Sequence, residues 1–485
     1  MNKKVNRYCI VLLVCLISGT SHAQSANYTL EQVLQMAHNN SPSSKQAETR
    51  KENYYWQYRY YKTNYNPQLR ASGNVPNYYK EYLTNRLDDG TVTFQQLEQT
   101  TADGTLSLSQ PIYFTGGTLS VNSSLNRYND FIYDLQKYNS TVVNVQIDQP
   151  IFKINSLKWD RKTEPLRYEE SRRGYVEEME DISRQATDKY FSVLDAQINL
   201  QIAQFNLANN DTIYKIEQGR YNIGTTTKDK LLQAELQLLR SRQDVTSAKI
   251  SLQNAQLDLR SFIGLKETES FTLELPENIP LLVISADEAV RRARENRADF
   301  IAFRRRKLEA EREVAEARGQ RFEATLSASF GLNNQGPNFR DAYKDPQQQQ
   351  RVNLSFNVPV LDWGRNKARM KTAYANKRLN DYVIAQDEVN FEQEIITQVR
   401  QFDVLMSQIE ITKKSDEVAQ ERYMVSQNRY LIGKIDITNL NIALTEKDTA
   451  KRGYLAALRT FWTSYFELRG LTLYDFSTNQ LLYTP

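Results

Sequence analysis

The stretch RYNIGTTTKDKLLQA at residues 220–234 returns 209 positions later as RYLIGKIDITNLNIA at 429–443. Both carry Arg-Tyr-x-Ile-Gly, a Leu seven residues after the Gly and an Ala three beyond it. At the same displacement Asn144 meets Asn353 and Pro150 meets Pro359. Further upstream, TLEQVLQMAHNN at 29–40 matches SADEAVRRAREN at 285–296 at a slightly different offset. Self-similarity of this kind means that one supersecondary unit is used twice. The fold must therefore seat two copies of the order helix, β region, long helix, Gly phrase, helix. The expected divisions are a leader at 1–23, a first repeat at 24–269, a linker at 270–284 marked by Pro276 and Pro280, a second repeat at 285–474 and a tail at 475–485.

The helical parts are long. Residues 29–65 and 286–322 lack Pro except Pro42, and Thr29 and Ser285 can act as their N-caps. Residues 155–223 and 365–432 give nearly seventy helical positions each, interrupted only by Pro165 in the first turns of one copy. At 1.5 Å per residue such a helix reaches about 100 Å, the length of a rod. After the first Gly phrase, Leu231, Leu238, Val245, Leu252 and Leu259 recur every seven residues, with Ala234, Ser241, Ala248, Ala255 and Phe262 three positions after each. The second copy repeats the small half at Ala443, Ala450, Ala457 and Ser464, while Lys447 interrupts the large half. This seam suits antiparallel pairing across the Gly turn, in a coiled-coil rod or in an ordinary bundle core.

The β regions alternate apolar with small or polar residues: 66–75, 104–114, 117–128 and 141–152 in the first copy, 324–332 and 351–364 in the second. Such strands suit a membrane barrel with one face to lipid and one to water, or a soluble sandwich appended to the helices. Tyr113, Phe114, Phe152, Phe330 and Trp363 are expected at strand ends as an interfacial aromatic belt. The polar stretches at 77–104 and 333–350 read as surface loops.

The chain opens MNKKVNRYCIVLLVCLISGTSHAQS, a basic start, a short apolar run and small residues at the exit, which reads as a secretory signal cut after Ala23. Its apolar run is far below the roughly 20 residues of a spanning helix. Both cysteines, Cys9 and Cys15, and one of two histidines, His22, fall inside it. The mature chain then has no thiol, and His38 is its only imidazole, so zinc–thiolate sites and His-based catalysis are not expected. Losing Lys3, Lys4 and Arg7 turns 62 basic and 58 acidic residues into 59 and 58, a balance that argues against nucleic acid as a partner. No phosphate loop or cofactor motif occurs, so neither an enzyme nor a cofactor is expected.

A secreted chain without a spanning helix crosses a membrane only by closing strands into a barrel. Four to six strands per chain are too few for the roughly eight of the smallest barrels. Several chains must share one barrel, with the helices continuing the ring as a tube.

The two-copy order, the strand exits QPIF at 149–152 and VPVLDWGR at 358–365, and the RYxxG phrases at helix–helix turns resemble the TolC-like outer-membrane efflux proteins across essentially the whole mature chain. The segment QPIFKINSLKWDRKTEPLRYEE looks most like members from the Bacteroidetes group. The resemblance implies an α+β membrane protein of a Gram-negative outer membrane. It implies a homotrimer whose 12-stranded β-barrel, set in outer-membrane lipid, continues as a long periplasmic α-helical coiled-coil tunnel. Its partners would be a periplasmic adaptor (membrane fusion) protein and, through it, an inner-membrane pump of an efflux or type I secretion system. By the same resemblance the two RYxxG turns form the periplasmic tip. Arg220, Tyr221, Gly224, Lys230, Arg429, Tyr430, Gly433, Asp436 and Asn439 are the candidate gating or adaptor-docking residues. A coiled-coil envelope protein without a conducting pore is the alternative.

Two departures stand out. Acidic rings close the tip in well-known members, whereas Asn439, Ile442 and Lys230 occupy the aligned positions here, with Asp436 and Asp229 nearby. The first copy also carries an extra strand pair, GTLSLSQPIYFTGGTLSVNSSL. It is expected to form an extracellular hairpin outside a twelve-stranded barrel. The alternative, with FTGG as a tight turn, gives six strands per chain and eighteen in a trimer.

Overall fold

The computed structural model describes residues 26–265, 271–280 and 282–483. The expected leader at 1–23, with Cys9, Cys15 and His22, lies outside them, as do parts of the expected linker and tail. The elements are β1 (Ala26–Tyr28), α1 (Leu30–Asn40), α2 (Pro42–Thr63), β2 (Gln68–Arg86), β3 (Val92–Ile112), β4 (Gly117–Asp130), β5 (Leu135–Pro150), α3 (Ser156–Asn222), α4 (Lys228–Ile263) and β6 (Phe271–Leu273). They continue as α5 (Ala286–Asn296), α6 (Ala298–Gly319), β7 (Glu323–Gly336), β8 (Gln347–Asn357), α7 (Arg365–Leu431), α8 (Ile437–Thr472), β9 (Tyr474–Asp475) and β10 (Gln480–Leu481).

The duplication holds to the residue in the helices. α1 and α5, and α2 and α6, start 256 positions apart, whereas α3 and α7, and α4 and α8, start 209 apart. The 47 positions between these offsets match the insertion of β3 and β4 into the first copy, so β2 corresponds to β7 and β5 to β8.

The chain forms two compact units, one holding Lys51–Arg172 and Ala298–Asn390, the other Arg173–Arg297 with the two flanking ends of the chain. The first unit contains one antiparallel sheet in the order β2-β3-β4-β5-β7-β8. The expectation that the extra pair stands apart from the sheet is thus overturned: β3 and β4 are interior strands, and FTGG is the turn between them, closed by Gly116 N–H to the Ile112 carbonyl at 2.8 Å. The stretch 77–104, expected as a loop, is also strand on both sides of a turn at Leu87–Thr91. Its Asp-Gly turn, with Gly90 at φ 86°, supplies the hairpin that its polar side chains do not announce. Residues 333–350 are likewise partly strand, while β8 ends at Asn357, short of the expected Gly364. Tyr113, Phe114 and Phe152 do follow strand ends, but Trp363 lies six positions past β8, in the turn before α7, and Phe330 sits mid-strand in β7. Phe322, at the start of β7 and 6.3 Å from Phe152, takes the place expected of it.

The other unit packs α1, α4, α5 and α8 with parts of α3 and α7 around Val33, Tyr190, Leu259, Ala289, Phe402, Phe461 and Leu468. The expected seam is buried in part: Ala234, Leu238, Ser241, Val245 and Leu259 are buried in α4 while Leu231, Ala248, Leu252, Ala255 and Phe262 are half-buried, and in α8 Leu440, Ala443, Lys447, Tyr454, Ala457, Phe461, Ser464 and Leu468 are buried and Ala450 is half-buried. β1 and β6 form a short parallel ladder that joins the start of the first copy to the linker, and Tyr190 OH donates to the Tyr28 carbonyl at 3.2 Å.

The helices expected as unbroken from 29 and 286 each break once, at Ser41 and Arg297, which sit in extended conformation. Pro42 explains the first, since a proline disfavours helical backbone in the residue before it. The second has no proline. There Arg173 donates to the carbonyls of Glu295 and Asn296 at 2.6 and 2.8 Å, while buried Asn296 donates to the Thr472 carbonyl at 3.2 Å and accepts from Tyr483. Tertiary bonds thus replace the helical ones. Asn296→Ala should lower local stability by about 1–3 kcal/mol, because the Thr472 carbonyl loses its donor. The check is the urea dependence of proteolysis near the C-terminus; an unchanged midpoint would show that the bond is dispensable.

Candidate functional site

The RYxxG phrase is first of all a backbone device. At the end of α3, Thr225 N–H bonds the Arg220 carbonyl at 2.8 Å and Gly224 N–H bonds the Tyr221 carbonyl at 3.0 Å. At the end of α7 the same pair recurs, Lys434 to Arg429 and Gly433 to Tyr430, both at 2.9 Å. This six-to-one and five-to-two pattern is a Schellman cap, which needs a left-handed residue just past the helix. Gly224 and Gly433 supply it at φ 75° and 73°. α8 is then capped at its start by Asp436, whose Oδ1 accepts from the backbone and side-chain N–H groups of Asn439, each at 2.9 Å.

The side chains of the two phrases diverge. Tyr430 is only 2% exposed and Tyr221 is 40% exposed. Arg220 turns inward while Arg429 is exposed. The inward pair meets Glu217, a residue that sequence reasoning passed over. Glu217 Oε1 accepts from Tyr430 OH at 2.8 Å and from Arg220 at 2.9 Å, and Oε2 accepts from Thr226 at 2.9 Å. The Arg220 guanidinium also lies over the Tyr430 ring, 5.3 Å from its centre. A carboxylate that is 3% exposed thus has three donors, drawn from α3, from the turn after it and from α7. Burial on its own would raise the Glu217 carboxyl, but these hydrogen bonds and the Arg220 charge outweigh it and hold it below the usual range. Burial, with Glu217 beside it, pushes the Tyr430 hydroxyl well up, so it remains a donor at any physiological pH.

Around this network lies an apolar cluster of Ile213, Ala234, Tyr423, Ile437, Leu440, Ala443 and Leu444. Next to it, Asn209 donates to Tyr423 OH at 2.7 Å, and the buried Lys447 ammonium sits over the Phe205 and Tyr423 rings at 4.2 and 4.7 Å. The lysine that breaks the heptad is therefore held by ring faces. Of the expected site residues, Arg220, Lys230, Tyr430, Gly433, Asp436 and Asn439 line one shallow cavity of about 560 Å³ with Glu217 and Thr226. Tyr221, Gly224 and Arg429 do not. The Glu217–Arg220 spacing of three on one helix was legible; the Tyr430 contact across 213 positions was not. Among the described residues no group of His, Cys, Asp and Glu is placed to hold a metal ion, and no helix is long and apolar enough to cross a membrane.

Fold and site together define a class: a duplicated α+β chain with one open antiparallel sheet and two glycine-capped helical hairpins. The chain belongs to the outer membrane efflux protein family, whose model matches residues 118–265 and 289–472. That is a family of channels of the TolC-like type, not of enzymes. Among solved structures, the chain is similar to the CmeC outer membrane channel of Campylobacter jejuni, with TM-score 0.65 and 14% identity over 94% of this chain and 87% of that one. It is similar also to the outer membrane protein VceC of Vibrio cholerae, with TM-score 0.62 and 15% identity over 91% and 96%. The open state of the Neisseria gonorrhoeae MtrE outer membrane channel gives TM-score 0.62 and 16% identity over 91% and 88%. No curated protein matches the sequence.

The Glu217 network has a defined pH window. Because the folded-state pKa lies below the unfolded one, its stabilisation is complete above the ordinary carboxylate range and is lost as pH falls through the lower folded value. Amide-exchange protection of residues 217–226 should therefore be flat from about pH 8 to 5 and fall below about pH 4. Loss of protection already between pH 7 and 5 would contradict the assignment.

Proposed function

We propose that this protein is the outer-membrane duct of a tripartite export assembly in a Gram-negative envelope. Three copies close their sheets into one barrel in outer-membrane lipid, and the helices continue it into the periplasm. The hairpins at Gly224 and Gly433 form the periplasmic tip, which a periplasmic adaptor opens. Energy comes from an inner-membrane pump through the adaptor, since the duct is passive.

The observation that carries this reading is the Glu217 network. It ties the end of α3 to the end of α7 through three polar bonds around one carboxylate, and such a point of attachment has two discrete states, tied and untied. A partner gaining contact only with the untied hairpins shifts that balance without chemistry. Exposed Tyr221 and Arg429, the pseudo-equivalents of the two tied residues, are the docking half of the same phrase. That a related channel is known in an open state agrees with a tip that moves.

Conductance in planar bilayers tests it. Tyr430→Phe removes one bond to a charged acceptor, about 1.5–3 kcal/mol, which corresponds to a rise in open probability of roughly tenfold or more. Tyr221→Ala and Arg429→Ala should leave the basal conductance unchanged and weaken binding of the adaptor. Protein that passes no ions in any variant would favour the coiled-coil spacer without a pore.

A further inference from the structure

The extra strand pair carries the same two faces as the strands around it. One rung of side chains runs Leu69, Leu108, Val121, Val145, Phe330 across five neighbouring strands. Two residues along the sheet another runs Leu119, Ile147, Ala328, Val352. Between them lies the rung Gln68, Ser109, Ser120, Gln146, Ser329, Arg351, polar across all six strands. Arg70, Ser107, Asn122, Asn144, Gly331, Gln349 follow on the same polar face. Ser107 and Ser327 donate along that face to Asn122 and Asp148 at 2.5 and 2.6 Å. β3 and β4 thus contribute Leu108, Val121 and Leu119 to an apolar face that is exposed at these residues and at Leu69, Val145, Phe330 and Val352, and half-buried at Ile147 and Ala328. An exposed apolar face of this extent marks a surface covered by something apolar.

The turn between β3 and β4 fixes the height of the pair. Asn155, just before α3, donates to the Tyr113 carbonyl at 2.7 Å, Gln149 of β5 donates to Thr115 at 3.2 Å, and Gln110 donates to the Tyr65 carbonyl at 2.9 Å. The Arg161 guanidinium covers the Tyr113 ring at 5.2 Å. The turn is therefore tied to the end of the sheet where the helices begin, where Phe152 and Phe322 also stand. A hairpin outside the membrane at the far end would not reach these partners.

We infer that β3 and β4 cross the membrane, so that each protomer gives six strands to an eighteen-stranded barrel whose apolar face meets lipid acyl chains. This rests on the trimeric duct proposed above and changes its dimensions. With strands about 4.8 Å apart and tilted by about 40°, eighteen strands enclose a backbone cylinder roughly 35 Å across, against about 24 Å for twelve. The lumen face is mostly Ser, Asn and Gln, with Arg70, Arg351 and Asp148 as charges on it. Cargo size is then limited at the helical tip and not at the barrel.

Single-cysteine variants test this in proteoliposomes with a membrane-impermeant maleimide. Leu108→Cys and Val121→Cys report the lipid face of the extra pair and Ser109→Cys and Ser120→Cys its lumen face. Val145→Cys and Gln146→Cys on β5 are the controls. The expected result is labelling of Ser109→Cys, Ser120→Cys and Gln146→Cys about tenfold faster or more than their neighbours, because lipid shields alternate residues. Trimer mobility on unheated gels confirms that each variant assembles. Uniform fast labelling of β3 and β4 with alternation retained on β5 would overturn the eighteen-stranded barrel and leave the duct intact. Loss of alternation on β5 as well would overturn the membrane barrel itself.

Discussion

The unpaired edges of the six-stranded sheet govern everything else in this protein. β2 and β8 present rows of N–H and C=O groups that have no partner strand among the described residues. In water such edges invite association, and in lipid each unmatched group costs several kcal/mol. On the proposed duct reading, a protomer whose apolar sheet face meets lipid also needs copies of itself. On the proposed reading the two edges satisfy each other between neighbours, which makes closure of the barrel and oligomerisation one event.

Duplication provides a frame in which small asymmetries acquire function. The two helical hairpins share length, cap geometry and glycine position, yet Ser426 stands where the first copy has Glu217. The single Glu217 carboxylate takes its arginine from the first copy and its tyrosine from the second, with Thr226 as its third donor. The remaining Arg429 and Tyr221 face outward. The repeated phrase is thus conserved in backbone role and divided in side-chain role.

The helices were legible in the sequence because heptads, caps and the 209-residue displacement all agreed. The proline-free break at Arg297 was not, because its cause is a set of bonds from Arg173 and to the Thr472 carbonyl, far along the chain. The extra strand pair was identifiable from its alternation, while its placement depended on the ties of Asn155 and Gln149 to the turn. Residues 77–104 looked like a loop because their exposed polar and aromatic side chains lack a buried face. At the tip, cap residues could be read from spacing; Tyr430 in contact with Glu217 required the fold.

The most direct measurement is cryo-electron microscopy of the protein extracted from outer membranes in detergent. The account predicts three-fold particles in which β2 of each copy is hydrogen-bonded to β8 of the next and the sheets close into one ring. Monomers, or oligomers joined through the helices with both sheet edges left open, would contradict it.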